Sequence, residues 1–194
     1  MSDKDSNKNV ASALLSCGLN QYSFFSIVGK FTAEYAQAES AARMFARSLS
    51  GMPIAKAKII FDGMRLGDVA VRIRGLMRYE NVESGKYDDI DACLNQLDKI
   101  ATQRNNLVHC CLVYAEKARA TNPQTATRIE GIEVDKISFE YFEIMTLDCL
   151  AITARIKSVT NGKLKAMFSR ELLELIYLPW RYIPTPQTQK KKSA

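Results

Sequence analysis

The sequence predicts an all-α fold, an up-and-down bundle of long helices with room for one short β-hairpin insertion. Three observations carry this. Apolar residues recur at spacings of three and four over most of the chain, Gly51, Pro53, Gly63 and Gly162 stand as breakers between such stretches, and 47% of the 194 residues are hydrophobic. That apolar fraction excludes a disordered chain and suffices for a sizeable core. The organisation reads as a flexible N-terminus over 1–9, a single helical domain over 10–178, and a Pro- and Lys-containing C-terminal tail over 179–194.

The first long helix is read through Tyr22, Phe25, Val28, Phe31, Tyr35, Ala38, Ala42, Phe45 and Leu49, and is closed by Gly51 and Pro53. Ile54–Phe61 and Leu66–Met77 read as two further helices parted at Asp62-Gly63. The second carries Arg72, Arg74 and Arg78, which could form a basic ridge, although a solvated face is the plainer reading. Tyr79 to Asp89, holding Asn81, Ser84, Gly85 and Lys86, reads as a loop. From Asp89 to about Glu116 the helical period returns without Gly or Pro, which gives a helix of about 27 residues.

Residues 118–125 are turn-rich, and Thr127 to Val134 alternates enough to suggest a short strand or hairpin. Ser138 is placed to cap a helix running through Phe142, Met145, Leu147, Leu150, Ile152 and Ile156 to about Val159, ended by Asn161-Gly162. A last helix covers about Lys165 to Tyr177. Beyond it Pro179, Trp180 and Tyr182 read as a cap folded back on the bundle, before the Lys190-Lys191-Lys192 run.

A net charge of +6 favours meeting polyanions. The five cysteines (Cys17, Cys93, Cys110, Cys111, Cys149) are odd in number and lack a C-x-x-C spacing, so they read as reduced thiols of a cytoplasmic protein. Cys110-Cys111 fits packing plus a surface thiol. No ligand spacing for a metal is present, and no cofactor is expected. The apolar run Val10 to Leu15 before Cys17 is too short for an export signal, and no run approaches the ~20 residues that span a bilayer, so no membrane partner is expected.

The chemistry concentrates at Arg104-Asn105-Asn106-Leu107-Val108-His109, which contains the only histidine in the chain. Projected as a helix, Ile90, Cys93, Leu94, Leu97, Ile100, Ala101, Leu107, Val108, Cys111 and Leu112 fall within roughly 80° of Arg104. Arg104 therefore interrupts an apolar stripe. A buried unpaired guanidinium costs several kcal/mol, so it needs a carboxylate, a partner chain or a phosphate. Asp98, Thr102, Asn105, His109 and Glu116 form a polar ridge beside the stripe, with Asn105 and His109 one turn apart. An arginine fork suits a phosphodiester, an imidazole passes protons near neutral pH, and an amide can orient either. RNA supplies its own nucleophile, the 2′-hydroxyl, which leaves the protein to position groups and stabilise charge. The plain alternative is a core-edge histidine with Arg104 in an ion pair to Asp98, Asp91 or a glutamate.

The arginine, the polar residue after it and the histidine, late in a long helix of a small helical chain, resemble the R-x4-6-H signature of the HEPN superfamily. The resemblance implies a helical bundle that homodimerises so that two motifs face one cleft. It implies a metal-independent endoribonuclease of toxin–antitoxin, phage-defence or RNA-processing systems, with an antitoxin or other regulatory protein as a possible partner. By that likeness Arg104 and His109 are catalytic and Asn105 supports them. Two residues after the histidine, where toxins paired with nucleotidyltransferase antitoxins carry tyrosine, this chain has Cys111. The alternative is a non-catalytic dimerising helical module that binds a protein or nucleic acid.

Overall fold

The apolar periodicity becomes helix in the computed structural model, which describes residues 3–109, 111–113, 119–121, 139–161 and 169–184, with side chains over 25–105, 140–161 and 169–184. Its helices are α1 (Asp3–Leu49), α2 (Ile54–Phe61), α3 (Leu66–Tyr79), α4 (Ser84–His109), α5 (Phe139–Thr160) and α6 (Arg170–Ile176). Two short strands, β1 (Cys111–Val113) and β2 (Arg119–Thr121), pair antiparallel with Cys111 opposite Thr121. Among the described residues the fold is all-α apart from this ladder.

One stripe of each long helix meets in a common core. Phe31, Ala38, Ala42 and Phe45 of α1 are buried against Val69, Ile73 and Met77 of α3, Ile90, Leu94, Leu97 and Ile100 of α4, and Phe142, Met145, Ile152 and Ile156 of α5. The contacts fix direction. Arg78 lies over Tyr87 and Arg74 reaches Asp91 and Asn95, so α3 and α4 are antiparallel. Asp89 meets Arg155 and Gln96 meets Asp148, so α4 and α5 are antiparallel too.

Helix ends follow local chemistry. After α1, Gly51 takes φ +61, a left-handed value that glycine adopts without a side-chain clash, and the chain turns into α2. After α3 the same job falls to Asn81, at φ 52. The amide of Asn81 donates to the Arg78 carbonyl (3.2 Å) and the amide of Val82 to the Met77 carbonyl (3.0 Å), which satisfies two orphan carbonyls of the last turn. Val82 also packs against the core that contains Met77.

Two expectations are corrected here. The segment from Tyr79 to Asp89 is not one loop: the turn closes within Glu80 to Glu83, and α4 starts at Ser84, its first turn aided by the Lys86–Glu83 ion pair. The other end of α4 is His109, not Glu116. The stretch Cys111-Leu112-Val113 is rich in strand-compatible side chains, and its pairing with Arg119–Thr121 draws the backbone out of the helix. A two-stranded ladder thus pairs 111–113 with 119–121, and the second strand falls in the stretch 118–125 that reads as turn-rich. The alternating stretch 127–134, Ser138 and residues 165–168 lie outside the described residues. No helix is long and apolar enough, among the described residues, to cross a membrane.

Candidate functional site

The stripe on α4 is real as far as Ala101: Ile90, Cys93, Leu94, Leu97 and Ile100 are all buried. Asp98, Thr102 and Asn105 stand on the exposed ridge beside it. Arg104 is half-buried at the end of the stripe, in the last turn and a half of α4. His109 is the last residue of that helix, about 7.5 Å further along the axis at 1.5 Å per residue. Its imidazole, like the side chains of Leu107 and Val108, lies outside the described residues. Cys111 and Leu112, projected onto the stripe as helix, sit on β1 instead.

Arg104, for which the sequence left a carboxylate, a partner chain or a phosphate open, meets an aromatic ring within the chain. Its guanidinium carbon stands 5.5 Å from the ring centre of Tyr35 on α1, within range of a cation–π contact. Asp91 is taken by Arg74 at 2.6 Å, and among the described residues no carboxylate pairs with Arg104. Its Nη1 donates to the Oδ1 of Asn105 at 3.1 Å, so motif neighbours touch. Its Nε is buried and has no hydrogen-bond partner among the described residues.

The surroundings keep Tyr35 neutral. Burial, reinforced by the Glu39 carboxylate, pushes its hydroxyl up to about 12 against the pull of Arg104 and Arg43. Below it on α5, burial and then the carboxylates of Asp148 and Glu34 push the Cys149 thiol up to about 12. Glu39 is bound by Arg43 at 2.9 Å, and Arg43 also donates to the Met64 carbonyl. Arg104 therefore presents donors that no other described residue takes up, backed by a neutral ring.

The supposed basic ridge of α3 divides. Arg74 is spent on Asp91 and Asn95, while Arg72 and Arg78 remain exposed. Sequence reading missed a second polar cluster, Asp148 and Arg155 on α5, both buried. They lie seven apart, two turns along one face, and a projection of α5 like that applied to α4 shows them beside its core stripe. Arg155 donates to the carbonyls of Ile176 (2.9 Å) and Leu178 (3.0 Å) and to Asp89 (3.3 Å), between the rings of Tyr177 and Trp180. Trp180 and buried Tyr182 thus fold back on the bundle, as the cap reading expects.

Among the described residues no three His, Cys, Asp or Glu side chains converge as a metal site. No family model, no curated protein and no solved structure matches the chain.

Proposed function

We propose that the chain is a metal-independent endoribonuclease of HEPN type, with Arg104, Asn105 and His109 as its site. The observation that carries this reading is the state of Arg104: a guanidinium at the end of α4 with no carboxylate partner among the described residues, backed by Tyr35 and tied to Asn105. A cation left without a counter-charge is suited to an anionic ligand, and the chain's only imidazole closes the same helix.

In this mechanism His109 takes the proton of the RNA 2′-hydroxyl, the O2′–P bond forms, and the P–O5′ bond breaks. The imidazolium hands its proton to the departing 5′ oxygen, which leaves a 2′,3′-cyclic phosphate and a 5′-hydroxyl. Arg104 stabilises the charge gathering on the non-bridging oxygens. A homodimer that brings two motifs to one cleft, a toxin or phage-defence role, a cytoplasmic site of action and an antitoxin or other regulatory partner belong to the same reading.

The test is digestion of mixed RNAs in chelator, with product ends identified chemically. Wild type is expected to leave cyclic phosphate ends, and His109→Ala to lose about 100-fold or more in rate while keeping its helical spectrum. RNA left intact by the wild-type protein would sink the proposal.

The stack on Tyr35 also favours a second reading, a non-catalytic dimerising module, because a ring face gives Arg104 a partner without any substrate. In that case Arg104→Ala lowers the stability of the bundle through the lost Tyr35 contact and leaves RNA behaviour unchanged.

A further inference from the structure

We propose that Tyr35 is a positioning residue that aims Arg104 end-on at a phosphodiester, an inference that rests on the ribonuclease reading. The support runs from the core outward. Phe142 of α5 meets Phe31 of α1 with ring centres 5.7 Å apart, Phe31 meets Tyr35 at 6.4 Å, and Tyr35 carries the Arg104 guanidinium at 5.5 Å. Phe31 and Phe142 are wholly buried and Tyr35 is 4% exposed, so the platform is part of the packed interior and cannot swing with the arginine.

The donors of Arg104 are sorted by this arrangement. Nε is buried, which removes the side-on fork of Nε and Nη2 from use. Nη1 spends one N–H on Asn105 Oδ1. What the other described residues leave is the outer end of the fork, Nη2 with the second N–H of Nη1, and the Asn105 amide nitrogen beside it. Two adjacent donors at one edge match the two non-bridging oxygens of a phosphodiester. A long flexible side chain normally loses rotamer freedom when it binds; here the ring has ordered it in advance. The ring face does this work, and the hydroxyl is not required.

The experiment compares Tyr35→Phe, Tyr35→Leu, Arg104→Ala and the double variant Tyr35→Leu/Arg104→Ala. Metal-free cleavage of one RNA oligonucleotide is read as separate kcat and KM, and the fold of each variant is checked by circular dichroism. Tyr35→Phe is expected to stay within about threefold of wild type, since the ring face is kept. Tyr35→Leu is expected to lose roughly tenfold to a hundredfold, mainly in kcat, because a slightly misaimed group fails most in the transition state. Added to Arg104→Ala it should cost little more.

The Nε–H resonance of Arg104 in the free protein supplies a reading that needs no RNA. It should be displaced upfield by the ring in wild type and Tyr35→Phe, and not in Tyr35→Leu. An active wild type with unimpaired Tyr35→Leu, a folded Tyr35→Phe that is as inactive as Tyr35→Leu, or full additivity with Arg104→Ala overturns the inference alone. A wild-type protein inert toward RNA overturns the ribonuclease reading and the inference with it.

Discussion

Asp148 accepts the backbone N–H of Tyr182 at 2.9 Å, across 34 residues of chain, and is itself fully buried. The same carboxylate accepts the amide of Arg181 at 3.1 Å and the side-chain amide of Gln96 at 2.9 Å. Gln96 in turn donates to the Tyr182 carbonyl at 2.8 Å. Groups on α4 and α5 thus hold the segment after α6 by its backbone.

Removing the carboxylate strands those donors in the interior. Asp148→Ala is expected to cost about 3 kcal/mol, because each unmade buried hydrogen bond carries its desolvation penalty. A drop in Tm of roughly 6–12 °C should follow. Amide exchange localises the effect: Tyr182 N–H should lose its protection first, and unchanged protection there would refute this account of the docking.

Arg155 makes the second anchor, and Trp180 reports on it without interference because it is the only tryptophan. The guanidinium carbon lies 4.3 Å from the Trp180 ring centre while its nitrogens donate to two carbonyls and Asp89. Lysine keeps the charge but has neither the planar fork nor the stacking face. Arg155→Lys is therefore expected to lose about 2 kcal/mol in urea unfolding. Trp180 emission should shift to the red and become easier to quench, and an unaltered spectrum would show that the stack contributes nothing.

Periodicity made the bundle legible. The α2 span Ile54–Phe61, the end of α1 before Gly51 and most of α5 follow from spacing and breakers alone, because those signals are local. The end of α4 was not legible, since Cys111-Leu112-Val113 satisfies both a helical stripe and a strand and only pairing with Arg119–Thr121 decides. Arg104 stood out as an anomaly on its stripe. That its partner is Tyr35, already assigned to the α1 core, depends on how two helices 69 positions apart in sequence meet, and no pattern within either helix encodes it.

Alkaline conditions should unfold the protein through three groups that the core keeps neutral. Burial, with Asp89 second, pushes the Cys93 thiol up to about 12, and Cys149 and Tyr35 are raised to about 12 as well. Their ordinary values are 9.0 for the thiols and 10.0 for the phenol. Native values above unfolded ones mean the stabilisation is fully present below pH 9 and is lost as pH climbs toward 12, where only the unfolded chain sheds these protons early. Urea midpoints should fall steadily over that window. At pH 8, iodoacetamide should leave Cys93 and Cys149 unmodified in the native protein; labelling as fast as in urea would contradict the burial.

The turn between α3 and α4 offers a substitution that should stabilise. Asn81 sits at φ 52, where a β-carbon crowds the backbone, and it holds that value to close the α3 carbonyls through Asn81 N–H and Val82 N–H. Its own side chain adds one long bond, Nδ2 to the Tyr79 carbonyl at 3.4 Å. Glycine removes the crowding and keeps both backbone bonds, so Asn81→Gly is expected to gain up to about 1 kcal/mol despite the freer unfolded chain. Asn81→Val, β-branched in a left-handed position, is expected to lose about 1–2 kcal/mol. Urea midpoints of the three proteins should rank Gly above Asn above Val. A valine variant as stable as the asparagine protein would mean that this turn does not hold the left-handed conformation in solution.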